Sequence, residues 1–206
     1  TQMHDHEQIP IVPIAKAKGV WLTDFDGKTY LDAISSWWVN IWGHAHPDIN
    51  HALKQQLDTL EHVILAGFSH EPIVELSEKL LALAPQGLAR CFYADNGSAA
   101  IEVALKMSMH FWHNQGETAK TRFVSLSGSY HGETLGALSV TDIPLFSQTY
   151  APLLTQQYRV ASPDWTQAPD GVSPHDFAVQ QFAAMENLLA EKHHEICAVI
   201  VEPLIQ

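Results

Sequence analysis

Apolar residues form two different patterns along this chain. Short apolar runs at residues 90–95, 122–126 and 196–200 are typical of strands that are covered on both faces. Apolar residues three and four positions apart predict helices over residues 48–60, 72–83, 98–114 and 177–192. The short apolar segment at residues 135–140 is also expected to be helical. Residues 141–175 are rich in Pro, Asp, Ser and Gln and are expected to form a long surface excursion. Strands that alternate with helices predict an α/β fold with a mainly parallel sheet.

The first 47 residues have a different pattern, which predicts a β-meander. Residues 11–14 are expected to be extended, and residues 20–23 and 29–32 are expected to form strands. Between the two strands lies Asp24-Phe25-Asp26-Gly27, and Asp-Gly is a strong signal for a hairpin turn.

Three tryptophans then follow within six residues, at Trp37, Trp38 and Trp42. Indole rings provide large flat contacts with one polar edge, so the wall of a binding site explains them. A core or interface cluster explains them equally well.

The helix predicted over residues 98–114 has one apolar face. Its predicted members are Ile101, Ala104, Leu105, Ser108, Phe111 and Trp112. Glu102 and Lys106 lie one turn apart and are expected to form an exposed pair on the other side. An exposed Lys106 is not a candidate for a Schiff-base lysine. The helix over residues 177–192 is expected to bury Phe182, Met185, Leu188 and Leu189.

Polar residues directly follow each predicted strand of the α/β part. They are Asn96–Ser98, Ser129–Glu133 and Glu202. Parallel sheets bind ligands at the carboxyl ends of their strands, so these residues are expected to gather at one edge. A Gly-Ser turn before a helix is suited to bind phosphate at Gly97 and Ser98, although it also occurs as a simple turn. The spacing matches neither a Walker loop nor a Rossmann fingerprint.

Two other residues of this edge are open to more than one interpretation. Tyr130 either stacks on a planar ligand or fills a loop. Glu202 either polarises a ligand or forms a structural ion pair. The chain has 13 histidines in scattered pairs without a supporting Cys or carboxylate cluster, so we expect no metal site.

The composition of the chain limits the kinds of partner that it is expected to bind. The chain has 206 residues and a formal net charge of −12, which argues against nucleic acid or an anionic membrane surface as the main partner. No apolar run reaches membrane length. Cys91 and Cys197 lie in apolar runs and are expected to be buried free thiols, so a cytoplasmic location is expected.

Five segments together resemble one enzyme family. They are Asp26–Asp32, Gly43–Pro47, Asn96–Lys106, Ser129–Thr134 and Val199–Pro203. Their residues, order and spacing resemble the class III aminotransferases, which are pyridoxal-phosphate (PLP) enzymes of fold type I. Ser-Ser-Trp-Trp at residues 35–38 further resembles members that transfer the amino group of S-adenosylmethionine to 8-amino-7-oxononanoate in biotin biosynthesis.

The resemblance implies a role for individual residues. It assigns Gly97 and Ser98 to the PLP phosphate, Tyr130 to the PLP ring and the substrate, Trp37 to the substrate, and Glu202 to a place near the cofactor. It also implies a homodimer with the active sites at the subunit interface. Another class III aminotransferase, acting on ornithine, 4-aminobutyrate or another ω-amine, stays an alternative. So does a PLP-fold binding module without catalysis.

The same resemblance implies how the chain divides. Residues 1–47 would belong to the small domain, and residues 48–206 to the N-terminal half of the large PLP-binding domain. The lysine that binds PLP and the aspartate that pairs with its ring nitrogen are expected beyond residue 206. The 206 residues alone are therefore predicted to be inactive.

Overall fold

A computed structural model describes residues 3–203. The chain forms two compact units, Thr1–Arg90 and Cys91–Gln206. The boundary expected after residue 47 concerns the domains of the complete protein and stays a prediction. Within residues 3–203, no helix has the length and apolar character needed to cross a membrane.

The first unit contains the predicted meander. Strands β1 (Ile14–Lys18), β2 (Trp21–Asp24) and β3 (Thr29–Leu31) form an antiparallel sheet in the order β1-β2-β3. The hairpin between β2 and β3 is confirmed. The extended segment expected at residues 11–14 instead leads into β1, which the sequence pattern did not reveal.

Asp24 holds the hairpin turn together. Its Oδ1 accepts hydrogen bonds from the N–H groups of Asp26 and Lys28, and its Oδ2 accepts one from the Tyr30 hydroxyl. Among residues 4–90, whose burial the structure describes, Asp24 is the one buried residue. A polar side chain can be buried here because three donors satisfy it.

Three helical segments complete the first unit after a 3₁₀ turn at Met3–Glu7. They are α1 (Ser35–Trp38), α2 (Pro47–Leu57) and α3 (Glu71–Leu83). Both longer helices have a proline in their first turn, where its missing N–H costs nothing. Helix α2 ends three residues earlier than predicted, and its apolar residues Ile49, Leu53 and Leu57 stay exposed.

The second unit contains a parallel sheet. Its strands are β4 (Arg122–Leu126), β5 (Tyr158–Val160) and β6 (Ile196–Val199), in the order β5-β4-β6. The prediction of a mainly parallel sheet is confirmed. The description of residues 141–175 as a surface excursion is wrong at β5, because Tyr-Arg-Val is too short and too polar in its middle to stand out as a strand.

The strand predicted at residues 90–95 is absent from the described residues. A strand needs a neighbour for its backbone groups, and this segment pairs with none of the strands within residues 3–203. Its apolar sequence alone could not reveal that.

Four helices accompany the sheet, together with 3₁₀ turns at Gln148–Leu153 and Trp165–Gln167. They are α4 (Gly97–Asn114), α5 (Leu135–Val140), α6 (Pro144–Ser147) and α7 (Pro174–Lys192). Side chains cap the two long helices: Asn96 accepts the N–H of Ala99, and Ser173 accepts that of Asp176. The helices predicted from sequence are confirmed within a few residues at each end.

The two faces of the sheet are covered by different helices. On one face, Leu105 of α4 and Val140 of α5 pack with Phe123 and Cys197. On the other face, a second cluster joins Met185 of α7 to its neighbours Val124, Val160 and Ile196. Neighbouring residues of β4 thus serve opposite faces, as the side-chain alternation of a strand requires.

Three residues expected in the core are exposed instead. Ala104 and Phe111 lie at the edge of the α4 face, and Phe182 of α7 is half-exposed. The spacing of apolar residues identifies which face of a helix is apolar, but it does not reveal how much of that face the neighbouring elements cover. Cys197 is buried as expected, whereas Cys91 is only partly buried.

Candidate active site

The N-terminus of α4 is the first part of the site. The Asn96 side chain accepts the N–H of Ala99 at 2.8 Å, which satisfies one of the free amides of the first turn. Within residues 3–203, no acceptor is found for the N–H of Gly97 or Ser98. The positive end of the helix dipole adds to these two donors, so an anion is favoured here.

The loop that follows β4 closes against this helix end. The N–H of Glu133 donates to Ser98 Oγ at 3.1 Å. Gly132 has φ +124°, and a Cβ at that position would lie 2.3 Å from Ser98 Oγ and 3.0 Å from its Cα. Only glycine permits this approach. The sequence pattern indicates the polar loop Ser129–Glu133 as a whole but not this role of Gly132 within it.

Hydrogen bonds hold Tyr130 at its backbone and at its hydroxyl. Its N–H donates to Glu202 Oε2 at 2.9 Å, and its hydroxyl donates to Glu133 Oε1 at 3.0 Å. The Phe146 ring lies edge-on at 5.6 Å. Burial, followed by the Glu133 carboxylate, raises the pKa of the Tyr130 hydroxyl, so the ring stays neutral. The residue is 42% exposed, which leaves part of the ring open to a ligand.

Glu202 connects β6 to this loop. Its carboxylate accepts the N–H of Tyr130, which joins the ends of β4 and β6. Both interpretations from sequence, a ligand contact and a structural ion pair, stay predictions. The structure adds a contact of another kind. It shows a hydrogen bond that positions the Tyr130 backbone.

His131 contributes a buried nitrogen to the same region. The residue is 8% exposed, and its Nε2 lacks a hydrogen-bond partner within the described residues. Burial lowers the pKa of the imidazole, and the nearby Glu202 charge opposes that shift. A buried polar atom without a partner is costly, so this atom is suited to meet a polar group that the described residues do not supply.

Glu102 has a role that differs from the prediction. Its Oε1 accepts the N–H groups of Gly136 and Ala137, at 2.7 and 3.2 Å. It therefore caps α5 and is partly buried, so the expectation of an exposed pair was wrong for Glu102, although the Lys106 charge still helps to lower its pKa. Burial raises the pKa of Glu102, but its hydrogen bonds with Thr134, Gly136 and Ala137 outweigh burial and lower it. A helix spacing of four residues could not reveal a partner on another element.

The predicted site residues of the second unit are thus brought together. Ser98, Tyr130 and Glu202 are linked through hydrogen bonds that involve the same loop. The gathering expected at the carboxyl ends holds for β4 and β6, whereas Gly97 and Ser98 follow an unpaired segment. A cavity of about 650 Å³ on the outer side of α4 includes none of these residues.

The remaining predicted residue, Trp37, lies in the first unit. Helix α1 is one left-handed turn, with φ between +46° and +75° at Ser35, Ser36, Trp37 and Trp38. Left-handed backbone costs roughly 1–2 kcal/mol for each non-glycine residue, so the surrounding contacts must impose it. Trp37 and Trp38 are 69% and 68% exposed, so they do not belong to a core within this unit.

Within residues 3–203, no cluster of three or more His, Cys, Asp or Glu side chains could hold a metal ion.

Comparison with known proteins identifies the family. The model of the family described as "Aminotransferase class-III" matches residues 1–206. The chain belongs to the class-III aminotransferase family. Class-III aminotransferases are PLP-dependent enzymes, so the anion site at Gly97 and Ser98 is in accord with a phosphorylated cofactor.

Curated class-III relatives match over the whole chain. An adenosylmethionine-8-amino-7-oxononanoate aminotransferase of Helicobacter pylori is 47% identical over 100% of this chain and 45% of its own length. The enzyme of the same name from Anoxybacillus flavithermus is 42% identical, with the same coverage. The chain therefore spans less than half the length of the curated relatives it matches.

Solved aminotransferase structures share the fold. The adenosylmethionine-8-amino-7-oxononanoate aminotransferase of Methanocaldococcus jannaschii superimposes with a TM-score of 0.84 at 32% identity, over 97% of this chain and 42% of that one. The omega transaminase of Pseudomonas jessenii in complex with PMP gives a TM-score of 0.92 at 29% identity, over 100% and 46%. The predicted fold of PLP-dependent transaminases is thereby confirmed.

Proposed function

We propose that the complete protein transfers the amino group of S-adenosylmethionine to 8-amino-7-oxononanoate, giving 7,8-diaminononanoate in biotin biosynthesis. The observation that carries this proposal is the convergence of Ser98, Tyr130 and Glu202 around one loop. The names of the relatives at 36–47% identity support the choice of substrates.

The residues of the second unit fit PLP. The N–H groups of Gly97 and Ser98 would bind its phosphate, and the exposed part of the Tyr130 ring would stack on its pyridine. Glu202 accepts the N–H of Tyr130 and so would help to position that ring. When bound, PLP supplies the electron sink that lets an amino group pass between two substrates.

Two further groups are required for the reaction. In this proposal they are the lysine that binds PLP and the aspartate that faces its ring nitrogen, both beyond residue 206. The 206 residues can then bind phosphate and present an aromatic face, but they lack the base that moves the proton. We accordingly propose that this chain alone is inactive.

The first unit supplies a substrate contact in this proposal. Trp37 would present its exposed indole to the substrate, while Tyr130 would contact both substrate and cofactor. Replacement of Trp37 by alanine is expected to lower kcat/KM for the keto substrate about tenfold, the equivalent of about 1.4 kcal/mol, with PLP affinity unchanged. Loss of PLP from this variant would contradict the assignment.

Assembly and location follow the same proposal. A homodimer is supported by the exposed apolar side chains of the first unit, such as Trp21, Phe25 and Trp42. Residues 1–47 would belong to its small domain and residues 48–206 to its large domain. A cytoplasmic location is supported by the two cysteines, which are both free thiols.

A half-reaction on the full-length, PLP-loaded protein tests the proposed function. S-adenosylmethionine alone should change the absorbance of the bound cofactor, and 8-amino-7-oxononanoate should restore it. No response to S-adenosylmethionine, with a response to lysine, would change the donor only.

A second candidate is another class-III aminotransferase that acts on an ω-amine. It is favoured by the TM-score of 0.92 to the omega transaminase of Pseudomonas jessenii. A response to an ω-amine but not to 8-amino-7-oxononanoate would support this candidate and overturn the first. No response to any amino donor would support a binding module without catalysis.

A further inference from the structure

The left-handed turn α1 is held by one carboxylate. Asp32 Oδ1 accepts the N–H of Ser36 at 2.9 Å, and Asp32 Oδ2 accepts the Ser36 hydroxyl at 2.7 Å. Both bonds end inside the turn, at the residue directly before Trp37. The Asp32 side chain is only 6% exposed, so water competes little for these acceptor sites.

The same carboxylate is itself anchored to the sheet. His44 Nε2 lies 2.7 Å from Asp32 Oδ2. The backbone of His44 exchanges two hydrogen bonds with Gly19, at 3.0 and 2.8 Å, at the start of the β1–β2 connection. A Cβ on Gly43, whose φ is +82°, would lie 2.9 Å from the Gly19 backbone, so this approach requires glycine at 43. The turn is thus tied to the meander through Asp32 and His44.

We propose that Asp32, supported by His44, is a positioning residue that sets the orientation of the Trp37 indole toward the substrate. This inference rests on the proposed function, which gives Trp37 its substrate contact.

Contacts within the turn do not explain why α1 keeps its shape and position. Trp38 N–H bonds to the Ile34 carbonyl and Asn40 N–H to the Ser35 carbonyl, both at 3.0 Å, which closes the turn but does not fix it on the sheet. The two indoles are exposed, so packing within this unit does not orient them either. The hydrogen bonds with Ser36, together with the His44 contact, hold the pKa of Asp32 down to about 2. The carboxylate is therefore charged at every working pH.

A double-mutant cycle on the full-length, PLP-loaded protein tests this role. The variants are Asp32→Asn, Trp37→Ala and the double variant, and the readout is kcat/KM for 8-amino-7-oxononanoate. Asp32→Asn should lower kcat/KM about fivefold, and the double variant should be no worse than Trp37→Ala, within about twofold. The PLP dissociation constant of the apoprotein should stay unchanged in all three, whereas its near-UV circular dichroism should change in Asp32→Asn.

Asp164 offers a matched control. Its Oδ1 accepts the N–H of Thr166 at 3.0 Å and the Thr166 hydroxyl at 2.7 Å, the same pair of donors that Asp32 binds in Ser36. Asp164→Asn should leave kcat/KM unchanged. If Asp32→Asn does not fold, Ser36→Ala removes the hydroxyl that contacts Asp32 and His44 but keeps the bond between His44 and Asp32, and it should show the same coupling to Trp37→Ala.

The outcomes separate the two proposals. Additive effects of Asp32→Asn and Trp37→Ala overturn the positioning role and leave the proposed function intact. A neutral Trp37→Ala removes the substrate contact from the proposed function, and the positioning role falls with it. Coupling between the two changes, with an inert Asp164→Asn, supports both.

Discussion

Replacement of Gly132 by alanine should disrupt the candidate phosphate site at the start of α4. The new Cβ would lie 2.3 Å from Ser98 Oγ, a separation that real Cβ contacts essentially never show, and 3.0 Å from Ser98 Cα. The Ser98 hydroxyl must then turn away, and the loop and the start of α4 must move apart by a few tenths of an ångström. That movement breaks the bond from Glu133 N–H to Ser98 and shifts the backbone donors that the phosphate needs.

Two costs set the size of the effect. A side chain at φ +124° is strained by about 1–3 kcal/mol, and the contact with Ser98 adds about 1–3 kcal/mol of overpacking. The total loss of stability is therefore about 2–6 kcal/mol. If about 1.4 kcal/mol of it falls on the cofactor-binding geometry, the PLP dissociation constant rises tenfold.

The assay is a PLP titration of the full-length apoprotein, followed by protein fluorescence, beside a urea unfolding curve. Gly116→Ala is the matched control, because Gly116 also has a positive φ, +82°, but open space around it. It should lose about 1–2 kcal/mol of stability and keep its PLP affinity. Adding Ser98→Ala to Gly132→Ala removes the closest atom and should recover part of the lost stability. A Gly132→Ala protein with native stability and PLP affinity would refute this account of the loop.

Three other changes test separate contacts. Ser98→Ala keeps the backbone N–H but removes the hydroxyl that accepts the Glu133 N–H, and it should weaken PLP binding several-fold through the loss of about 0.5–1.5 kcal/mol, while Ser108→Ala on the same helix should not change the PLP titration. Glu102→Gln should cost about 0.3–1 kcal/mol at neutral pH, since the charge at the start of α5 is lost. Folding lowers the pKa of Glu102 from its ordinary value of 4.5, so the carboxylate stabilises the fold above that pH and this stabilisation is lost as the pH falls below it. The urea midpoints at pH 7 and pH 3.5 should therefore differ less in the variant. Trp112→Phe should cost about 1 kcal/mol in urea unfolding, since Trp112 Nε1 donates to the Cys197 carbonyl at 2.7 Å, and an unchanged midpoint would contradict that bond.

Local signals predicted most of the elements. Asp-Gly identified the β2–β3 hairpin, and spacings of three and four residues identified the long helices α4 and α7. The gathering of Tyr130 and Glu202 followed from a general rule about the carboxyl ends of parallel strands, here β4 and β6. These features depend on neighbours in sequence or on topology that many proteins share, so sequence suffices for them.

The features that sequence missed depend on distant partners. Strand β5 is stabilised by β4 and not by its own three residues. Glu102 looked like the partner of Lys106 because the amides of α5 are far away in sequence. The left-handed α1 contains no glycine, and the Asp32 contacts that impose it are recognisable only in three dimensions.

The central position of β4 in its sheet also affects the nascent chain during synthesis. Val124 pairs with Tyr158 on one side and with Val199 on the other, so the sheet of the second unit stays open until residue 199 has been synthesised. At about 5–20 residues per second, roughly 4 to 14 seconds pass between the synthesis of β4 and that of β6. Throughout that interval the nascent chain carries an apolar strand with an unpaired edge, which is a template for aggregation. Chaperone binding to ribosome-associated chains should therefore peak after β4 and fall once β6 emerges.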